Sequence, residues 1–276
     1  VWSTANGFLA RTLSGELNLS AVSYTPDGQT LVAGRTWATQ YGTSGGLFFW
    51  STADWSLLAP QQRSSAIYSL AVSPGGNLLA TGTSTTSWWD GWGMIRLYDM
   101  VTRQCVSAWH RHESYANALC FSPDGRSLAS GGGYYDGSVI LTRVSDGSVL
   151  HSLVGHTAYI TCLAFSPDGG TLASASYDGT IKLWRVADGA LVRTLAAHTG
   201  GAYALGFSKD GLTLISGGSD GTIKVWRVSD GAVLRTYDEE IGPAVYSLAV
   251  SPGGRTFAYG RSDATVVVAK LPALSA

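Results

Sequence analysis

Charge is scarce in this chain. Asp, Glu, Lys and Arg together make up 13% of its 276 residues, and the formal net charge is −1. Holding a nucleic acid or an anionic membrane surface takes a basic excess, and there is none, so neither is expected as a partner. Cysteine is equally sparse. Cys105, Cys120 and Cys162 stand far apart and set out no metal-ligand pattern. They read as small apolar residues buried in strands. No apolar run approaches the roughly 20 residues of a membrane helix, and no secretory signal is visible. No segment sustains the periodicity of an amphipathic helix. The sequence opens at Val1 without a methionine, which is read as a piece of a longer or processed chain.

Hydrophobic residues are abundant at 45%, as are glycine (35) and tryptophan (10). That composition belongs to a chain with a buried core and many tight turns. The turns recur: Thr25-Pro26-Asp27-Gly28, Ser73-Pro74-Gly75-Gly76, Ser122-Pro123-Asp124-Gly125, Ser166-Pro167-Asp168-Gly169, Ser208-Lys209-Asp210-Gly211 and Ser251-Pro252-Gly253-Gly254. Proline presets φ at the first central position, and glycine takes the left-handed position that closes the turn. Their second residues are spaced by 48, 49, 44, 42 and 43.

Around each turn the pattern repeats. An apolar run (159–165) precedes it and a second (171–174) follows. Then come a glycine turn, a β-branched strand (180–184), the Asp188-Gly189 turn and a fourth strand (191–195). Four antiparallel strands in about 42 residues, repeated, read as the blades of an all-β propeller. Six turns predict six blades in a single domain spanning 1–276. Residues 8–13 look like a fourth strand without its first three, and the last repeat ends after a third strand at 265–270. The N-terminal strand is therefore expected to complete the C-terminal blade and close the ring. Val1-Trp2 resembles Val225-Trp226 and leaves open an alternative, a seven-bladed or longer array cut at its N-terminus.

Gly155-His156, Ser174, Asp178 and Trp184 resemble the signature of the WD-repeat family, with Arg185 where that family usually has aspartate. His198, Ser216, Asp220 and Trp226 repeat the match. The third repeat keeps His112, Ser130 and Asp136 but has Thr142 for tryptophan. The first two keep Trp50 and Tyr98, and the sixth keeps Asp263. The resemblance implies a propeller with a scaffolding or recognition role and no catalysis. Read as chemistry, His-Ser-Asp suggests a nucleophilic triad. A triad needs one copy beside an oxyanion hole, whereas a hydrogen-bonded brace would appear blade after blade. The repetition favours the brace. Ser176-Tyr177-Asp178-Gly179-Thr180 differs from the Asp-box of sialidases by one residue between aspartate and glycine.

Function is expected where the repeats differ. Relative to the fourth repeat, the segment between strands two and three is longer by 6, 7 and 2 residues in the first three. These insertions carry Trp37 and Tyr41, then Trp88, Trp89 and Trp92, then Tyr134 and Tyr135, among glycine, serine and threonine. Rigid aromatics among small polar residues suit recognition loops. They could equally pack on one another as a cap. In the WD-repeat family the third and fifth residues after the histidine line the channel mouth. Those positions hold Tyr115, Asn117, Tyr159, Thr161 and Tyr203, and counting back from the turn serine adds Tyr68 and Tyr246. The expectation is a monomeric, cofactor-free and metal-free domain that binds a protein or peptide on this aromatic face. A carbohydrate or small ligand on the same face is the alternative.

Overall fold

Blade 4 shows how this sequence makes its sheets. In the turn 166–169, Ser166 donates its hydroxyl to Asp168 Oδ1 (2.5 Å) and accepts from the Thr171 amide (2.9 Å). Gly169 closes the turn at φ 72°. The same serine- or threonine-to-aspartate bond, at 2.6 Å, locks the turns at Thr25, Ser122 and Ser208. From that corner run four consecutive antiparallel strands, Ile160–Phe165, Thr171–Ser176, Thr180–Arg185 and Leu191–Ala196. The computed structural model describes residues 19–39, 42–58, 62–84, 93–134, 136–237 and 242–271.

Six such sheets follow one another along the chain as a six-bladed β-propeller. Blades 1 to 5 have four strands each. Blade 6 has three among the described residues, Val245–Val250, Thr256–Arg261 and Val266–Lys270. The expected closing strand at 8–13, and Val1-Trp2 before it, lie outside the described residues.

Each blade has a large side and a small side. Ile160, Leu163, Phe165, Leu172 and Trp184 of blade 4 pack on Ala118, Ala129, Val139, Leu141 and Leu153 of blade 3. Side-chain size is matched across these junctions. A Cβ on Gly131 would lie 2.5 Å from Cγ2 of Ile160, so only glycine admits that isoleucine. Blade 5 has Ala202 in the place of Ile160, and there blade 4 carries Ala175. Polar ties reinforce the packing. Ser69 Oγ donates to the Ala116 carbonyl (2.9 Å), Asn117 Nδ2 to that of Ile160 (2.6 Å) and Thr161 Oγ1 to that of Ala202 (2.5 Å).

The junction between blades 6 and 1 differs from the other five. First strands of adjoining blades pack together at the other five junctions, whereas among the described residues those of blades 6 and 1 make no comparable contact with each other. Val22 on the large side of blade 1 is 62% exposed, and Val268 on the small side of blade 6 is 69% exposed. Leu163, at the position of Val22 in blade 4, is 7% exposed. The corner turns agree. A Cβ on Gly76, Gly125, Gly169 or Gly211 would meet the preceding blade's proline at 3.3–3.6 Å, whereas nothing lies within 4 Å of Gly28.

Two expectations are corrected. The insertion of blade 1 is not a loop. Its second strand, Thr30–Thr39, runs on beside Gly42–Ser51 and pairs Trp37 with Ser44, because unbroken extended residues continue the ladder more readily than they leave it. Cys105 is exposed rather than buried, since it begins the outermost strand of blade 2. Cys120 and Cys162 do pack against the interblade cores.

Candidate ligand-binding face

The turns after first and third strands lie on one face of the propeller. The connections between strands two and three, and from strand four to the next blade, lie on the other. On this second face the polypeptide comes close to itself. A Cβ on Gly179, at the start of a third strand, would sit 2.5 Å from the Gly200 carbonyl oxygen of the next connection. Glycine is required there by that approach.

A hydrogen-bonded brace ties the two kinds of connection together. His156 Nδ1 lies 2.9 Å from Asp178 Oδ2, and its Nε2 lies 2.8 Å from Ser174 Oγ. The Trp184 indole donates to the same Ser174 oxygen at 2.8 Å. One proton arrangement satisfies every group: Nδ1–H to the carboxylate, the serine hydroxyl to Nε2, and the indole to the serine. Burial lowers the His156 pKa against the raising effect of Asp178, so the ring is neutral, as this arrangement needs. Burial would raise the Asp178 pKa, but bonds from Thr180, the Thr157 amide and His156 outweigh it and hold the carboxyl ionised. Blade 5 repeats the brace with His198, Asp220, Ser216 and Trp226 at 2.9 Å throughout.

Blade 3 keeps His112 with Asp136 (2.8 Å) and Ser130 (2.9 Å). Asp136 is held at about 2, where bonds from His112 and Ser138 overcome burial. Thr142 stands in the tryptophan's place, buried, and accepts from Arg111 Nε at 3.3 Å. In blade 6 the serine's position is Tyr259, whose ring lies under the Arg261 guanidinium.

Above the braces the tyrosines form a continuous arc. Tyr68 stacks on Tyr115 with centroids 4.2 Å apart. Tyr115 meets Tyr134 edge-on at 6.4 Å, and Tyr134 lies parallel to Tyr159 at 6.0 Å. Tyr159 stacks on Tyr177 at 4.8 Å, Tyr177 meets Tyr203 at 6.3 Å, and Tyr203 meets Tyr246 at 5.2 Å. Seven phenols thus pass from blade 2 to blade 6. Tyr134, Tyr177 and Tyr246 are 60%, 49% and 58% exposed. Burial and the neighbouring tyrosines push the Tyr159 phenol up to about 12 and raise that of Tyr203, which keeps both protonated.

The arc joins Tyr134, read from an inserted loop, to Tyr68, Tyr115, Tyr159, Tyr203 and Tyr246, read from the channel positions. It also contains Tyr177, which sequence reasoning missed as a surface residue. The available signal was its place directly before the brace aspartate, the place Tyr135 holds in blade 3. Asn117 and Thr161 are not part of the arc, because their side chains are spent on the next blade's carbonyls. Tyr41, Trp88, Trp89, Trp92 and Tyr135 lie outside the described residues. Trp37 is described only as a position on its strand.

The repeated braces and blades are those of a known family. The family model described as WD domain, G-beta repeat matches residues 57–99, 103–142, 147–185 and 189–227. Each match runs from the fourth strand of one blade through the third strand of the next. The four matches together span more than half of the chain, which therefore belongs to the WD-repeat family. Propellers of this family serve generally in protein–protein interaction. A search of the curated proteins returns no match to this chain.

Proposed function

We propose that this chain is a non-catalytic recognition domain whose tyrosine-rich face binds a protein or peptide partner. One observation carries the reading: seven tyrosines from five blades converge on one surface, and Tyr134, Tyr177 and Tyr246 among them are exposed. Aromatic side chains offer large contact area at low entropic cost, which suits a binding surface. The proposal retains the sequence-based expectation that Trp37, Tyr41, Trp88, Trp89, Trp92 and Tyr135 take part in binding. The brace serines support the non-catalytic reading. Ser130, Ser174 and Ser216 are fully buried, so no substrate reaches their hydroxyls.

A peptide is favoured over a sugar by the stacking. Tyr159 is flanked by near-parallel rings at interplanar angles of 15° and 16°. A ring covered on both sides has no face to offer a pyranose. Peptides selected from a random display library on the intact chain test the reading. Tyr134→Ala with Tyr177→Ala is expected to abolish their binding without lowering the melting temperature. Selected peptides that bind this variant at unchanged affinity, or a glycan array that outperforms the peptides, would sink it.

A further inference from the structure

Blade 1 carries its ladder further than its neighbours do. The second strands of blades 4 and 5 end at Ser176 and Gly218, the place that Arg35 holds in blade 1. In blade 1 the second and third strands stay paired beyond that place, out to Thr39 with Gly42, whereas the last pair of the first strand is Leu19 with Arg35. Residues 36–39 and 42–45 therefore form a two-stranded ribbon that runs about 13 Å past the end of the first strand.

The ribbon edge on the first-strand side is unpaired among the described residues. In blades 4 and 5 the chain entering the first strand makes one more bond to the residue after the second. The Tyr177 amide donates to the Tyr159 carbonyl at 3.1 Å, and the Ser219 amide to that of Gly201 at 2.9 Å. Thr36 is the matching residue of blade 1, so residues 37–39 lie beyond the reach of that contact. The edge also adjoins the tyrosines. Thr36 Oγ1 donates to the Ile67 carbonyl at 2.7 Å, and the next residue, Tyr68, begins the arc. First strands pack on one another around the axis, which turns this edge toward the arc. Fourth strands also end their sheets, but at the rim, away from it.

We propose that the peptide partner binds as an extended strand, adding to the ribbon edge at residues 37–39 and passing on over Tyr68 and Tyr115. This rests on the reading of the tyrosine face as a peptide-binding surface and adds the conformation of the bound segment. An open edge offers main-chain donors and acceptors that an extended peptide can match. A two-stranded ribbon is marginal alone and gains from a third strand. A helical segment spends its main-chain groups internally and could not pair there.

The displayed peptides selected on the intact chain provide the test, resynthesised with one main-chain amide N-methylated at a time. Methylation at alternate residues of a segment of about four should weaken binding by about fivefold or more, and at the residues between by less than about twofold. Replacing residues 37–44 by Asn-Gly, a tight turn that keeps the pair of Thr36 with Gly45, should weaken the same peptides by at least about tenfold. Trp37→Ala leaves the edge in place and should preserve the alternation. Circular dichroism melts confirm that each variant is folded. Peptides that depend on Tyr134 and Tyr177 but show no alternation, or that bind the ribbon replacement at unchanged affinity, overturn the added strand alone. Failure to select any peptide that depends on the arc overturns both readings.

Discussion

Trp184 donates its indole N–H to Ser174 Oγ across 2.8 Å, and that one oxygen also lies 2.8 Å from His156 Nε2. Both groups are buried, so removing the serine oxygen strands an indole donor and an imidazole nitrogen together. Ser174→Ala is expected to cost about 1–3 kcal/mol, measured by urea denaturation. Asp178→Ala should cost a similar amount by orphaning His156 Nδ1 and the Thr157 and Thr180 amides. Ser130→Ala should cost less than Ser174→Ala, because Thr142 replaces the indole in blade 3. Equal costs at the two serines would contradict the accounting.

Acid should weaken the fold in two stages. His156 and His198 are held below their ordinary 6.5 by burial, against the raising effect of Asp178 and Asp220. Between that lowered value and 6.5 the unfolded chain binds more protons than the folded one, so stability falls as pH falls. The second stage comes from Asp136, whose stabilising contribution is present above 3.8 and is lost as pH drops toward about 2. Melting temperatures are expected to be level above about pH 7 and to decline below about 6.5. A level profile down to about pH 5 would contradict the neutral-histidine brace.

The match between Gly131 and Ile160 predicts a coupled pair. Gly131→Ala forces a methyl group against Ile160 Cγ2 and should cost about 1–3 kcal/mol. Adding Ile160→Ala makes room for that methyl, so the double variant should be less damaged than the two separate losses combined. Simple additivity in the double-mutant cycle would show that the contact is not what constrains the glycine.

Matched positions in blades 1 and 4 should respond differently. Leu163→Ala removes a side chain buried between blades and is expected to cost about 2–5 kcal/mol. Val22→Ala removes one that is 62% exposed and should change stability by less than about 0.5 kcal/mol. A large loss at Val22 would mean that this junction is covered in solution.

The blades were legible in the sequence because the corner turns repeat and strand alternation follows from them. The braces were legible for the same reason, as His156, Ser174 and Asp178 recur at fixed offsets. The strand position of Trp37 was not legible, because a long insertion between two strands reads alike whether it loops out or extends the ladder. Cys105 was misassigned because an outermost strand has the same apolar content as an inner one. The unity of the tyrosine arc was hidden for a geometric reason. Tyr115 and Tyr134 are 19 residues apart and enter from different kinds of connection, and only the curvature of the sheets brings their rings together.

The unmatched junction between blades 6 and 1 has a consequence for how this protein comes apart. A ring with six equal contacts has no weakest place, and all of its blades must loosen together. Among the described residues, five junctions are closely packed and the sixth is not, which makes a stack with two ends. Stability then sums over neighbours along the stack, and opening begins at the ends. Amide hydrogens should exchange fastest in blades 1 and 6 and slowest in blades 3 and 4, a gradient along the chain with its maximum near the centre of the array.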